Sequence, residues 1–203
     1  MIKSTYPGKF IVIEGLDGCG KSAQVELIKI FLQEKGKIIV ETKEPTMESE
    51  AGRKIKQLLR GEIKLEPMER QKLYVQDRNE HLKNKVIPAI KEGKFVVCSR
   101  YAFSTIAYGS SDGLDTEVLV GMTKDFLLPD LTIIINVSPA ECIRRIEKRG
   151  EVKELWEKKA KLERVDKVYQ KFPGMFENIV MINGERPIEE VFEDIRTKIE
   201  KIL

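Results

Sequence analysis

Short runs of β-branched and aromatic residues recur along the chain and stop at glycine, proline or charged residues. Five of these runs, at residues 10–13, 38–40, 95–98, 131–135 and 179–182, have the length of buried strands. Apolar residues at consecutive positions are typical of a strand that is covered on both faces, as in a parallel sheet. We therefore expect the five runs to form one central sheet.

The segments between these runs carry apolar residues at helical spacing. In the last segment Ile188, Val191, Ile195 and Ile199 share one face, and Glu189 lies in the first turn, where the helix dipole favours an acid. The other predicted helices are 21–35, 50–60, 66–92 with a bend at Pro88, helical material within 116–126, 139–148, and a helix marked by Leu155, Leu162, Val165, Tyr169 and Phe172. This alternation of strands and helices predicts the α/β class, with helices on both faces of a parallel sheet.

The length of 203 residues corresponds to one domain at about 150 residues per domain, so we expect residues 1–203 to form a single domain. The 36 basic and 33 acidic residues leave a net charge of +3, a balance that argues against a histone-like nucleic-acid binder. No apolar run approaches the ~18 residues of a membrane span, and residues 1–9 lack the apolar core of a secretory signal. Neither nucleic acid nor a membrane is therefore expected as a partner.

Cysteine and histidine are scarce. Cys19, Cys98 and Cys142 are odd in number and form no CxxC pair, which is typical of reduced thiols in a cytoplasmic protein. His81 is the one histidine of the sequence. A histidine-based metal cluster and a Ser-His-Asp triad are therefore disfavoured.

The strongest chemical signal is a glycine-rich loop between the first predicted strand and the first predicted helix. It satisfies the pattern G-x-x-x-x-G-K-[ST] in the context that this pattern requires. Glycines let successive backbone N–H groups surround a phosphate, and the helix N-terminus adds partial positive charge. Lys21 can neutralise the β- and γ-phosphates, and the Ser22 hydroxyl can enter a Mg²⁺ shell. The residues predicted to bind a nucleoside triphosphate are Gly15, Leu16, Asp17, Gly18, Cys19, Gly20, Lys21 and Ser22.

A triphosphate site alone leaves a kinase, a GTPase-like switch and a motor open. The guanine-reading sequence N-K-x-D is absent. The strands at 95–98 and 131–135 run into Ser99 and Asn136, and neither supplies the acid that a motor ATPase usually carries there. A small kinase remains, and it needs a second, cationic site for an acceptor phosphate.

Two groups of residues are candidates for that second site. Tyr74, Arg78 and His81 share one face of the long predicted helix, where a ring and a guanidinium could stack on a base and bind it. That face alone is equally compatible with a core tyrosine beside a surface Arg–Asp pair. Arg100 follows the third strand, and ligands of such sheets bind beyond the carboxyl ends of the strands. The position of Arg100 therefore favours a functional role.

A third basic group is formed by Arg144, Arg145, Lys148 and Arg149, followed by Gly150. By itself it is typical of a solvated helix end, because the dipole favours cations there. In a small kinase, such a segment commonly closes as a lid over the triphosphate.

Taken together, these segments resemble the thymidylate kinase family over about residues 9–196. The similar segments are the loop FIVIEGLDGCGKSAQ from Phe10 to Gln24, Thr42-Lys-Glu-Pro45 (family T-R-E-P), Asp77-Arg78-x-x-His81 (D-R-x-x-H), Arg100-Tyr-Ala-Phe-Ser104 through Ala107-Tyr108 (D-R-Y-x-x-S-x-x-A-Y), Leu128-Pro-Asp130, and Arg145-x-x-x-Arg149-Gly150. The resemblance implies a three-layer P-loop NTPase fold, with a five-stranded parallel sheet flanked by helices and a short lid at about residues 144–155. It also implies ATP-dependent phosphorylation of dTMP to dTDP in dTTP biosynthesis, with Mg²⁺, in a cytoplasmic homodimer.

The resemblance further assigns roles to residues. Arg100 would hold the acceptor phosphate, Arg78 the thymine edge, Tyr74 would stack on the base and Asp17 would meet the sugar hydroxyl. The substrate-binding residues would be Asp17, Glu44, Tyr74, Arg78, Arg100, Ser104, Thr105, Tyr108 and Tyr169. Lys21, Arg100 and Arg149 would be catalytic, Ser22 would be the metal ligand, and Arg145 would join the ATP-binding residues.

Four positions depart from the family pattern. Ser99 stands where the family has aspartate, which alters the expected metal arrangement. Lys43 replaces arginine, Thr46 replaces glycine, and Gly109 follows Tyr108 where the family usually has glutamine. Another nucleotide or deoxynucleoside kinase and a non-catalytic ATP-binding regulatory module therefore remain open as alternatives.

Overall fold

Five parallel strands form the central sheet of the computed structural model, which describes residues 1–150 and 155–203, the side chains of 155–158 excepted. The strands are β1 (Ile2–Lys3), β2 (Lys9–Glu14), β3 (Ile39–Lys43), β4 (Phe95–Ser99), β5 (Leu127–Leu128), β6 (Leu131–Asn136) and β7 (Ile179–Asn183). The central sheet has the order β3-β4-β2-β6-β7. Its five strands coincide with the five predicted runs, except that Ile38 lies just before β3, so the predicted α/β class and parallel sheet are confirmed.

Helices connect the strands and cover the sheet. The α-helices of the described residues are α1 (Lys21–Glu34), α2 (Glu50–Leu59), α3 (Pro67–His81), α4 (Ile87–Lys91), α5 (Ala102–Ser111), α6 (Thr116–Met122), α7 (Pro139–Glu147), α8 (Leu155–Tyr169) and α9 (Ile188–Ile199). Alternate residues of β2 point to opposite faces, as the pleat of a strand requires. Ile11 and Ile13 belong to the core cluster that includes α1, whereas Phe10 and Val12 belong to the cluster beneath α4. The sheet is therefore buried on both faces.

The long predicted helix 66–92 consists of α3, a π-helical turn over Leu82–Val86, and α4. Pro88 has no N–H to donate, so a regular α-helical bond to the residue four positions earlier is impossible there. The wider turn accommodates this, and the N–H of Ile87 donates to the carbonyl of Leu82. The predicted bend therefore takes the form of a π-turn just before the proline.

Three local features differ from the sequence prediction. Helix α5 was not predicted, although Phe103, Ile106 and Ala107 follow one another at the helical spacing i, i+3 and i+4. The helical material predicted within 116–126 ends at Met122, since Leu127 and Leu128 pair in parallel with β1. Phe172 was predicted in the helix that is now α8, but it begins a short 3₁₀ turn after that helix, where Pro173 disfavours a helical residue before it.

Two expectations from composition can be compared with this structure. Cys19, Cys98 and Cys142 are free and buried, as expected for reduced thiols. Within the described residues, every helix is too short or too polar to cross a membrane.

The contribution of the α1 face to stability can be tested with two isoleucines. Ile28 is completely buried between α1 and the sheet, whereas Ile38, just before β3, is 67% exposed. We expect Ile28→Ala to lower the free energy of unfolding by about 2–5 kcal/mol, because it removes buried methyl groups and leaves a cavity. The control Ile38→Ala should change it by less than about 0.5 kcal/mol. Urea denaturation of both variants measures the difference, and equal losses would contradict the assigned core.

Candidate active site

The glycine-rich loop joins the carboxyl end of β2 to the N-terminus of α1. Gly18 and Gly20 adopt φ angles of 86° and 103°, in the left-handed region that glycine enters at little cost. A Cβ at Gly18 would lie 2.6 Å from the carbonyl oxygen of Cys142, so the loop packs directly on the backbone of α7. Among the described residues no side chain caps α1, and its first turn contains no acid. The N–H groups at this helix end are therefore open to an anion.

Lys21 lies folded across this loop. Its Nζ donates to the carbonyl oxygens of Leu16 at 2.7 Å and Gly15 at 3.1 Å. Burial, and next the guanidinium of Arg100, lower the pKa of Lys21. The two carbonyl dipoles offer Lys21 only partial negative charge. A polyphosphate in their place would offer full negative charge.

Arg145 supports the same loop from α7. Its Nη1 donates to the carbonyl of Cys19 at 3.2 Å and its Nη2 to the carbonyl of Gly184 at 3.0 Å. Its Nε donates to Glu141 at 2.7 Å. Arg145 therefore links the phosphate loop to the turn after β7.

The buried carboxylate of Glu14 joins the phosphate loop to α5. Its Oε1 accepts from the backbone N–H groups of Tyr101 at 2.8 Å and Ser104 at 3.1 Å. Its Oε2 accepts from the hydroxyls of Ser104 at 2.7 Å and Tyr169 at 2.8 Å. Glu14 thus caps the start of α5 from the last residue of the central strand, a role that the sequence analysis did not assign. The signal was present, since an acid in an otherwise apolar strand is rare unless it has partners.

Arg100 lies between Glu14 and the cavity described below. Its backbone has a φ of 69°, which a non-glycine residue rarely adopts, and its N–H donates to the carbonyl of Ile13. The guanidinium donates to Ser104 Oγ at 3.0 Å, to Asp17 Oδ1 at 2.5 Å and to Tyr108 Oη at 3.2 Å. Asp17 belongs to the phosphate loop. One ion pair therefore connects the predicted triphosphate site with the predicted acceptor site.

Arg78 is held by a buried network on the other side of that cavity. Its Nε donates to Glu44 Oε2 at 2.6 Å and its Nη1 to Thr105 Oγ1 at 3.0 Å. His81 Nδ1 lies 2.9 Å from Glu44 Oε1, and His81 Nε2 lies 2.8 Å from the Thr42 hydroxyl. Both oxygens of Glu44 are therefore engaged, and His81 positions Glu44 from behind. Of the three residues predicted to share one face of α3, Tyr74 and Arg78 therefore lie at the cavity, and His81 lies behind it.

Asp77, next to Arg78, fixes the loop after Pro45. Its Oδ2 accepts from the N–H of Thr46 at 2.8 Å, and its Oδ1 accepts from the hydroxyls of Thr46 at 2.6 Å and Ser49 at 2.7 Å. Ser49 in turn caps α2 by accepting from the N–H of Gly52. The surface Arg–Asp pair considered from the sequence is therefore wrong, because Asp77 is buried and bonds to this loop.

A cavity of about 500 Å³, which we call the α3–α5 cavity, opens beside Arg100. Its walls contain eight of the nine predicted substrate-binding residues: Asp17, Glu44, Tyr74, Arg78, Arg100, Ser104, Thr105 and Tyr108. Tyr169 does not line it, because its ring is buried behind Ser104 and its hydroxyl bonds to Glu14. Among the lining residues that were not predicted, four carry charged or amide side chains: Arg70, Gln71, Asp112 and Lys161.

A second cavity, of about 700 Å³, lies between the ends of β3 and β4. Ser22 and Ser99 both line it, so the predicted metal ligand and the residue in place of the family aspartate face the same space. Among the described residues, no group of three or more His, Cys, Asp or Glu side chains could hold a metal ion.

The predicted lid is described only in part. Arg149 lies in the exposed turn after α7, where its N–H donates to the carbonyl of Ile146. Residues 151–154 of the predicted lid lie outside the described residues.

Fold and site together define a P-loop protein of the α/β class with a phosphate loop next to a cationic cavity. The family model for thymidylate kinase matches residues 13–195. The chain is 37% identical over 194 residues to a probable thymidylate kinase of Pyrococcus abyssi, covering 93% of this chain and 94% of that one. It is 38% identical over 204 residues to a thymidylate kinase of Caldicellulosiruptor saccharolyticus, covering 97% and 98%.

A thymidylate kinase of Desulfotalea psychrophila is 35% identical over 201 residues, covering 98% of each chain. These matches extend over most of the chain, and the family model alone covers far more than half of it. The chain therefore belongs to the thymidylate kinase family.

The role of Glu14 can be tested with two substitutions, one that removes both acceptor oxygens of its side chain and one that keeps a single acceptor. Glu14→Ala leaves the buried N–H of Tyr101 without its carboxylate acceptor and the N–H of Ser104 with only the carbonyl of Tyr101, and we expect a loss of about 2–5 kcal/mol in the free energy of unfolding. Glu14→Gln should lower the free energy of unfolding by less. The carbonyl of the glutamine can accept from both N–H groups, and the Ser104 and Tyr169 hydroxyls can turn to accept from its amide NH₂. Urea denaturation measures both. Glu41→Ala, which removes an exposed partner of Lys29, is the control and should cost less than about 1 kcal/mol. Equal losses in the two Glu14 variants would contradict the capping role.

Proposed function

We propose that this protein transfers the γ-phosphoryl group of ATP to the phosphate of dTMP, giving ADP and dTDP. The observation that carries the proposal is the contact between Asp17 of the phosphate loop and Arg100 of the α3–α5 cavity. This contact brings a site suited to a polyphosphate next to a cavity suited to a nucleotide with its own phosphate. The relatives named above are thymidylate kinases, which supports thymidylate as the acceptor.

At the donor side, the loop amides and Lys21 bind the β- and γ-phosphates. Lys21 exchanges its two carbonyl partners for phosphate oxygens, and the open N-terminus of α1 adds partial positive charge. Arg145 stays with the loop backbone and flanks the adenine near Gly184. Phosphoryl transfer of this kind depends on positioning and charge stabilisation, so the protein needs no covalent step.

At the acceptor side, Arg100 binds the phosphate of dTMP. Its partner Asp17 is 53% exposed at the side chain, so the pair is weak enough to rearrange when a phosphate arrives. Asp17 then accepts from the sugar hydroxyl. Tyr74 stacks on the base, and Arg78, fixed by Glu44 and Thr105, donates to a base carbonyl.

The residues present fit a Mg²⁺ ion that is held mainly by ATP. The Ser22 and Ser99 hydroxyls both face the space beside the phosphate loop, and hydroxyl oxygens suit this ion. Such an ion would neutralise charge on the β- and γ-phosphates. Glu44 does not contribute to it, because both of its oxygens are bonded to Arg78 and His81.

We further infer that residues 1–203 act as one domain, that two copies form a homodimer, and that the protein works in the cytoplasm. The dimer follows from the family resemblance, and the three free thiols support a reducing compartment. Light scattering of the purified protein measures the mass in solution.

An acceptor panel tests the proposed reaction. With ATP and Mg²⁺, we expect ADP formation in the presence of dTMP and none above background with thymidine, because Arg100 binds a phosphate that the nucleoside lacks. Lys21→Ala is the control and should abolish the dTMP-dependent signal without loss of folded structure by circular dichroism. ADP formation with thymidine alone would indicate a nucleoside kinase. Absence of dTMP-dependent turnover would indicate a regulatory module.

The predicted role of Arg149 can be separated from general charge on α7. Arg149→Ala should lower kcat by about 10³-fold or more, because a lid arginine acts on the charge of the transition state. The control is Arg144→Ala, since Arg144 is held by two hydrogen bonds to Glu141 and is 65% exposed. Steady-state kinetics with dTMP and ATP measure both variants. A loss in kcat below about tenfold for Arg149→Ala would show that another cation has this role.

A further inference from the structure

Gln71 is a buried polar residue in the wall of the α3–α5 cavity. Its side chain lines the cavity, yet the residue is only 2% exposed. Its Oε1 has no hydrogen-bond partner among the described residues. Buried polar side-chain atoms in native proteins nearly always have a partner, so an exception of this kind points to a partner that arrives from outside.

The position of Gln71 on α3 places it beside the residues proposed to bind the base. Gln71, Tyr74 and Arg78 follow one another at i, i+3 and i+7 and share the face of α3 that packs on α5. On α5, the amide packs beside Gly109, a glycine whose closest neighbour is Leu119. A Cβ at position 109 would lie 3.4 Å from Gln71 Cδ, and 2.7 Å from a methyl carbon of Leu119. The amide therefore lies against a helix surface without a side chain, which fixes its location.

The chemistry of a carboxamide suits the edge of a pyrimidine imide. The amide carbonyl can accept from the ring N3–H, and the amide N–H can donate to a ring carbonyl. Rotation about the Cγ–Cδ bond exchanges the two ends of the amide, so either end can turn to the cavity. By itself an amide would therefore also fit cytosine. Arg78 removes this ambiguity, because its guanidinium only donates and its plane is fixed by Glu44 and Thr105.

We propose that Gln71 binds the imide edge of the acceptor base and, with Arg78, selects thymine and uracil over cytosine. This inference rests on the proposed function. The bound base supplies the missing partner of Oε1, so the cavity is completed by its substrate. Arg100 sets the position of the phosphate at one end, and Gln71 sets the position of the ring at the other.

Gln71→Met tests this directly, because methionine has a similar length and keeps the packing against Gly109 but cannot form the hydrogen bonds. We expect the KM for dTMP to rise between about 5-fold and about 100-fold, the range for one bidentate contact to a base. The KM for ATP should stay within about twofold, and kcat within about threefold. The melting temperature of the ligand-free protein should be unchanged or higher, because the variant removes a buried group without a partner.

A substrate analogue gives a second readout. The monophosphate of 3-methylthymidine lacks the N3–H donor, so the wild-type protein should prefer dTMP over it. In Gln71→Met this preference should shrink by about the same factor as the rise in the KM for dTMP. The matched control is Gln76→Met, on the exposed side of α3, which should behave as the wild type in every assay.

The possible outcomes distinguish a failure of the Gln71 proposal from a failure of the proposed function. If the wild type turns over dTMP but Gln71→Met has the same KM for dTMP and the same preference over the methylated analogue, Gln71 is only a packing residue. If instead Gln71→Met has a raised KM for dTMP but melts at a lower temperature than the wild type, its KM should be measured again at a temperature where the variant is folded. A KM that returns to the wild-type value there would show a structural role, and the proposal fails. If the wild type shows no dTMP-dependent turnover, the proposed function fails first, and the role of Gln71 with it.

Discussion

The buried carboxylate of Glu14 accepts four hydrogen bonds, and through them the last residue of the central strand fixes the first turn of α5. Arg100 is the residue just before Tyr101, one of the donors, so its rare left-handed backbone is determined by bonds on both sides. The phosphate loop begins at Gly15, the next residue after Glu14. The phosphate loop and Arg100 are therefore connected by only a few covalent bonds and the buried carboxylate of Glu14. These connections fix the position of the loop relative to Arg100. Such short connections explain how a site with many charges keeps its geometry before any ligand is bound.

The cations of the site differ in how firmly their partners hold them. Arg78 is paired with Glu44 at a position where both side chains are almost completely buried, so that pair cannot exchange with water. Arg145 is bonded to two backbone carbonyls and to Glu141. In contrast, Lys21 donates to two loop carbonyls and to the Cys19 sulfur, and Arg100 is paired with an exposed carboxylate. The two cations with replaceable partners are the two proposed to bind the phosphates, and of the two fixed cations Arg78 is proposed to bind the base and Arg145 contacts the loop backbone.

The fold could be predicted from the sequence because the apolar runs of the five central strands and the helical stripes are strong local signals. The short pair of β1 and β5 and the short 3₁₀ turn at Phe172 could not, because each depends on one or two residues. For the site, the phosphate loop from Gly15 to Ser22 could be predicted, because the spacing of its residues is itself the recognisable pattern. The contacts of Glu14, Asp77 and Gln71 join elements that are distant in sequence, so their partners could not be identified before the chain was folded.

The serine at position 99 changes the charge balance at the end of β4. The ion pairs of the site match Asp17 with Arg100, Glu44 with Arg78, and Glu141 with Arg145, while Glu14 accepts from neutral donors and Lys21 donates to two backbone carbonyls and the Cys19 sulfur. An aspartate at position 99 would lie directly beside Arg100 in the chain and would compete with the acceptor phosphate for it. Serine leaves one negative charge fewer where two anionic nucleotides must approach each other. Repulsion between these phosphates would oppose the proposed reaction, so a serine in place of a carboxylate would weaken the field against the substrates while still offering a hydroxyl oxygen to the metal.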